Sequence, residues 1–425
     1  MASDKSLSLL RASLIIFLAS LLLGSAAMYI QFGIVSVLVL WNYKWSRLKD
    51  TGLEIIKVSK PAWVMWLLFT VIFAITLVAN QSVSISEIGE LKWLFFPFVF
   101  VMALLGFLRE TPFRTMEKVA IAFLFLVSIY SLVDSVYQVI TDENIGRLLL
   151  FDEPSISSKR GAGLLKNPIP FAHVVGSLFY LGIAGAMISY SKGSQKVAFI
   201  FAGLSLLFFL CVLTSLARGA WLAIAVTALF SLIITPKAFK KANLIGLGIA
   251  ALFGAGTLAF NGMLLLRFLS AFDPNEEANS ARLHLWRSNW EMLIQNPFGI
   301  GFNANDLLLP EKLAELGFPA SSFLSHPHNE YLDYAVATGF PGIGLYVGVT
   351  VWLLCFTVRM LRRANLNGSD REMFLLTSSV FIQSYLNVCA LTDQFTTPGR
   401  FLICLAWAVP LAIAVKNRNA QPVLN

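Results

Sequence analysis

Charge is what this sequence is short of. Only 13% of its 425 residues are Asp, Glu, Lys or Arg, against about a quarter in an ordinary globular chain. With 57% hydrophobic residues and a mean hydropathy of +0.72, too little polar surface remains to keep a domain of this size in water. A soluble, nucleic-acid-binding reading of the +8 formal charge is thereby excluded. Cysteine is scarce as well. Cys211, Cys355, Cys389 and Cys404 all lie inside apolar runs, which argues against a disulfide framework or a thiolate metal site. No internal repeat or low-complexity tract occurs. No small-residue cleavage site follows the first apolar run, which reads as the first of a series of spans rather than a signal peptide.

What is present is a succession of apolar runs of membrane-spanning length. About twelve spans are predicted, near 10–26, 28–43, 62–80, 91–108, 119–140, 171–190, 197–214, 219–235, 243–264, 341–358, 372–391 and 401–415. Most of the 32 Lys and Arg fall on short segments of one side, which the positive-inside rule makes the cytoplasm, with both termini there. The chain then divides in three. Residues 1–264 hold nine spans and an outer segment, 141–170. Residues 265–340 form a large outer loop with amphipathic helices. Residues 341–425 hold three spans and a cytoplasmic C-terminus. Loops on a rigid scaffold are where function concentrates, which directs attention to 141–170 and 265–340.

In the large loop, 279–296 reads as a helix ended by Pro297. Leu283, Trp286, Trp290, Leu293 and Ile294 recur at helical spacing as one stripe, with Arg282 and Arg287 on its two edges. One role for such a helix is to lie in the membrane interface; a second is to turn an arginine inward to bind phosphate. The run Ser325-His326-Pro327-His328-Asn329-Glu330-Tyr331 follows. Pro327 suits a first helical turn, and His328 would then sit in that turn, where free N–H groups favour an anion. His326 and His328 could also begin a metal site with His284 or Asp333, although no Cys/His cluster of ligand spacing accompanies them. Arg218 interrupts the apolar run 211–234, where an ionisable group is costly enough to imply a role. Lys159, Arg160 and Lys166 add positive charge on the outer side, and with Arg218, Arg282 and Arg287 would make an electropositive bowl. Asp134 is the one obvious acidic residue deep in a span.

These residues resemble a known signature. His-Pro-His-Asn-Glu-Tyr-Leu followed by Ala-Thr-Gly-Phe-Pro-Gly-Ile-Gly, within 326–344, is similar to that of the O-antigen ligase and polymerase superfamily. So are Ser280-Ala281-Arg282-Leu283-His284-Leu285-Trp286 leading into Asn296-Pro297-Phe298-Gly299-Ile300-Gly301, and the Ser-Leu-Ala-Arg-Gly-Ala-Trp run ending at Trp221. The resemblance implies an all-α polytopic membrane protein with a GT-C-type glycosyltransferase fold and a large periplasmic loop domain. It implies metal-independent, inverting transfer of a glycan from undecaprenyl diphosphate, without a cofactor, at the periplasmic face of a Gram-negative inner membrane. In a ligase of lipopolysaccharide biosynthesis the acceptor is the lipid A–core oligosaccharide; in a polymerase it is another lipid-linked repeat.

Carried over by motif, His328, Arg218 and Arg282 would be catalytic. Arg287, His326, Asn329, Glu330, Arg160 and Lys166 are expected to contact the diphosphate or the glycan. Such chemistry needs arginines to stabilise a departing diphosphate and a base near neutral pH. His328 fits the latter, with Glu330 as a rival base or as its orienter. No arginine is followed by glycine eleven residues later, which favours a ligase over polymerases bearing that motif. A protein O-oligosaccharyltransferase shares much of the signature. A lipid-linked sugar transporter or flippase suits the composition equally, but would place charges at mid-membrane depth and repeat one half in the other.

Overall fold

A computed structural model describes residues 4–43, 45–79, 91–109, 112, 114–145, 159–165, 167–235, 240, 244, 248, 251, 254–256, 262–318 and 327–420. The chain is an all-α polytopic membrane protein. Helices stand at every expected span except 243–264, most of which lies outside the described residues. In chain order they are α1 (Asp4–Ser20), α2 (Ser25–Asn42), α3 (Trp45–Val58), α4 (Lys60–Ala79), α5 (Phe96–Phe107), α6 (Thr115–Thr141), α7 (Pro168–Ser191), α8 (Gln195–Thr214) and α9 (Arg218–Ile234). After them come α10 (Gly262–Leu269), α11 (Glu277–Gln295), α12 (Phe302–Glu315), α13 (Glu330–Asn367), α14 (Asp370–Cys389) and α15 (Thr397–Ala420).

Not all of these helices are apolar enough to span alone. Among the described residues six are, or seven if α3 and α4, bent by 97°, count as one; α5 and α9 are shorter. The physical reason is visible in α1 and α14, which bury Ser8, Arg11, Ser13 and Ser378, Ser379, Gln383 respectively. These polar groups face the bundle interior, where most find partners, as the Gln383 amide N–H does with Ser379 and Thr357. Lipid-facing positions are apolar instead, among them Leu67, Ile75, Leu126 and Phe199. This is the arrangement a hydrocarbon solvent selects, because buried polar groups must be satisfied within the protein.

The core is aromatic at one end. Phe17, Phe32, Phe96, Phe100 and Phe401 pack ring against ring, with centroids 4.2 to 6.4 Å apart. Against this bundle α11 and α12 pack on α13, and the join depends on one backbone feature. Between Glu330 and Asn367, α13 is kinked at Gly339, where φ is 72°. A side chain there would be strained and would collide with the Pro297 carbonyl. The turn after α11 threads through this gap: Ile300, Gly301 and Phe340 N–H groups donate to Val336, Ala337 and Pro297 carbonyls at 2.9–3.0 Å. The glycines in the two signature runs therefore shape the seat of α11.

The apolar stripe expected on α11 is divided. Leu293 is buried and Trp286 half-buried, whereas Leu283, Trp290 and Ile294 are exposed. The helix seats itself through Leu285, Ser288, Asn289 and Met292, with the Asn289 side-chain amide donating to its own helix at Leu285 O. The exposed remainder of the stripe suits the interfacial role.

Candidate functional site

The site is assembled where four chain segments meet at one end of the bundle. The first is the elbow between α8 and α9. Leu216 adopts φ +53°, Ala217 N–H donates to Ser215 Oγ, and the Trp221 indole donates to Val212 O. These contacts hold Arg218, at the start of α9, almost fully buried. Gly219 admits the second segment, the turn between α14 and α15: a Cβ there would collide with Thr392 and lie 3.5 Å from Asp393 Oδ2.

That turn carries Asp393, which is 5% exposed. Its Oδ1 lies 3.2 Å from His328 Nδ1 and 3.4 Å from Arg282 Nη2. One carboxylate thus joins the histidine of the third segment to the arginine of α11. Asn329 and Glu330 brace the same turn from the α13 side. Asn329 caps α13 at Leu332 N–H and donates to Leu391 O. Glu330 donates its N–H to Ala390 O and accepts Phe395 N–H at 2.7 Å. The buried Glu330 is therefore a scaffold for Asp393. His328, expected inside the first turn of a helix, lies instead one residue before the Asn329 cap, at φ +49°. The Asn329 side chain takes the cap, and the Trp286 indole pins Pro327 O at 2.9 Å.

Arg218 has partners of its own: Glu276 Oε2 at 2.9 Å, and Ser270 O and Oγ at 2.8 and 3.0 Å. Glu276, which also caps α11, reaches Arg267 at 3.4 Å. Burial alone would raise the Glu276 carboxyl, but the Arg218 hydrogen bond and charge hold it below the usual carboxylate range.

The fourth segment is a strap, 159–165, anchored by a buried polar hub on α6. Asp134 accepts from Asn144 Nδ2 at 3.0 Å and Ile145 N–H at 2.8 Å. Gln138 Oε1 takes Ala162 N–H, and its amide and that of Asn144 reach Gly163 O. Gly161 N–H donates to Thr214 O at 2.8 Å. The strap delivers Arg160 to Ser215 O at 3.1 Å, beside the Arg218 elbow. Burial, then the charge of Arg267, push the Arg160 guanidinium down to about 10, with Asp393 opposing. The hub gives a direct prediction. Asp134→Ala takes the acceptor from Ile145 N–H and one of two acceptors from the buried Asn144 amide, and a buried donor left unmade costs about 1–3 kcal/mol. The expected result is a lower melting temperature together with faster limited proteolysis within the strap.

Arg287 is not brought into this cluster. It points outward on α11, about 140° round the helix from Arg282, and pairs with Glu291 at 3.4 Å. His326 and Lys166 lie outside the described residues. The alternative metal partners of His328 are engaged elsewhere: His284 stacks on Phe318 with centroids 4.0 Å apart, and Asp333 accepts from Gln394. Sequence reasoning missed Asp393, Arg267 and Glu276. A carboxylate in the short turn Leu391-Thr392-Asp393-Gln394 after an apolar span was the available signal for the first.

Fold and site together define a polytopic helical membrane protein with an arginine-rich polar centre at one end of its bundle. Residues 203–347 match the family model described as O-antigen ligase, so over that stretch the chain is similar to the O-antigen ligase superfamily. The stretch takes in Arg218, Arg267, Glu276, Arg282 and His328 and leaves Arg160 and Asp393 outside it. The family implies a glycosyltransferase-like enzyme. No curated protein matches the chain.

Proposed function

We propose that the protein transfers a glycan from a polyprenyl diphosphate, undecaprenyl diphosphate in a Gram-negative inner membrane, to the lipid A–core oligosaccharide at the periplasmic face. The observation that carries this reading is the charge of the cluster. After burial, the charges of Arg267, Arg282 and Arg218 lower the Arg160 guanidinium, those of Arg218 and Arg282 lower that of Arg267, and Asp393 and Glu276 oppose them. Four guanidinium groups against two carboxylates leave two positive charges, matching the two negative charges of a glycosyl diphosphate. Guanidinium forks suit phosphate oxygens through paired hydrogen bonds.

In the reaction the acceptor hydroxyl oxygen attacks C1 of the donor sugar. The C1–O bond to phosphate breaks, and the polyprenyl diphosphate leaves with the electron pair. The hydroxyl proton passes to His328. With a proton on Nδ1 held by Asp393, Nε2 is the basic nitrogen. Attack from the face opposite the diphosphate inverts C1. The arginines stabilise the charge that grows on the leaving group, so no strong acid is required to expel it. Because Asp393 contacts both His328 and Arg282, it couples base orientation to the diphosphate end of the site.

The charge match is tested by binding. The purified protein should hold polyprenyl diphosphate at least about tenfold more tightly than polyprenyl monophosphate, a difference of ~1.4 kcal/mol, with EDTA present. Arg282→Gln should erase most of that preference. Equal affinity for the two lipids, or binding that requires a divalent ion, would overturn the diphosphate assignment.

A further inference from the structure

Between α4, α5, α13 and α15 lies an apolar cleft that the proposed transfer does not use. The bend of 97° between α3 and α4 opens it. Trp63 and Trp66 line it from α4, Phe98 from α5, Leu353 from α13, and Trp407 and Leu411 from α15. Ser59 at the bend donates its hydroxyl to Ile55 O, so the elbow presents hydrocarbon and indole to the cleft. The charged rim of the cleft and the site lie at opposite ends of α15. On α15 the end near Asp393 is Thr397, and the other end carries Arg418.

The rim of this cleft is cationic. Lys57 and Arg418 share a single carboxylate, Glu54, at 2.8 and 3.0 Å, and Lys60, also exposed, opens α4 three residues after Lys57. Both shared cations remain half exposed, at 54% and 49% of their side chains. Three cations against one anion leave two positive charges facing outward. Helical register ties rim to cleft: Trp407, Leu411 and Arg418 fall within about 40° of one another on α15, and Arg418 lies about 10 Å beyond Leu411 along the axis. That is a chain-binding slot with a positive headgroup seat one short step away.

We propose that this cleft binds an anionic phospholipid of the leaflet opposite the site, with one acyl chain between α4, α5, α13 and α15 and its phosphate among Lys57, Lys60 and Arg418. The occupant is a phospholipid rather than the glycan carrier, because the cationic rim at Arg418 lies about 31 Å along α15 from Thr397, the end of that helix nearest the site. A diphosphate seated at the rim would be out of reach of the reactive centre. The charge of the rim selects an anionic headgroup over a zwitterionic one, since each juxtamembrane Lys or Arg strengthens attraction to acidic lipid.

The indoles in the cleft report on it directly. Phosphatidylglycerol and phosphatidylcholine, each brominated on the acyl chains, are titrated into the detergent-solubilised full chain while tryptophan fluorescence is read. Brominated phosphatidylglycerol should quench a saturable component at about tenfold lower concentration than brominated phosphatidylcholine, two juxtamembrane charges being involved. The double substitution Trp66→Phe and Trp407→Phe should remove most of that component. Lys57→Gln with Arg418→Gln, both on exposed side chains, should reduce the preference to near unity without moving the melting temperature. Equal quenching by the two lipids, a preference indifferent to the charge variants, or displacement of phosphatidylglycerol by polyprenyl phosphate at equal concentration would each overturn the assignment. None of these readings depends on transfer at His328.

Discussion

His328→Ala is expected to abolish glycan transfer, with a loss of about 10²–10⁴ in rate, the usual cost of removing a general base. Melting temperature and polyprenyl diphosphate binding should change little. The side chain is about a quarter exposed and contacts Asp393 through one ring nitrogen, so it contributes little apolar burial. The backbone at this position is left-handed, which makes His328→Asn the better control. Asn tolerates that conformation and can still hydrogen-bond Asp393, but has no basic nitrogen. Transfer should be lost in both variants. Near-normal transfer by His328→Asn would remove the histidine from the mechanism, and a collapsed melt would make its role structural.

Arg218→Lys is expected to cost at least about 10² in transfer rate, the scale for losing one preorganised donor to a developing charge, although the formal charge is kept. The guanidinium spans Ser270 on one nitrogen and Glu276 on the other. A lysine ammonium is a single point and cannot keep both while also meeting a phosphate. Donor binding should weaken alongside rate, because the same cation acts before and during bond breaking. Arg287→Lys and Arg287→Gln, on the outward face of α11, should leave transfer within about twofold, the ordinary range for exposed positions at about ±0.5 kcal/mol.

The residues gathered at this candidate site stood out in the sequence where they interrupted an apolar background. Arg218 stood out because a cation inside a hydrophobic run needs a reason, and His328 because histidine is rare here. Arg282 came with the signature around it. What could not be read was pairing between distant segments. Asp393 sits 65 residues after His328, in a short turn whose composition resembles any loop. Asp134 was visible as an oddity, but its partners Asn144 and Ile145 lie across a connection whose fold no periodicity encodes. Arg287 misled because the α11 stripe predicted a seat on one face. Helix orientation is set by close approach at Ser288 and Asn289, and small polar residues do not register in an apolar pattern. The division at residue 340 falls one residue past the kink at Gly339, which separates the two helical stretches of α13.

The most direct test of the central claim is transfer by the purified full chain in detergent, where no compartment exists to transport into. Undecaprenyl-diphosphate-linked glycan and lipid A–core are supplied with EDTA, and the product is followed by gel mobility and mass. Glycan-extended lipid A–core with inverted C1 is expected from the wild-type chain and should be absent with His328→Asn. Glycan joined to a second lipid-linked glycan would make the protein a polymerase. No transfer to either acceptor by a well-folded protein that still binds the diphosphate would contradict the claim.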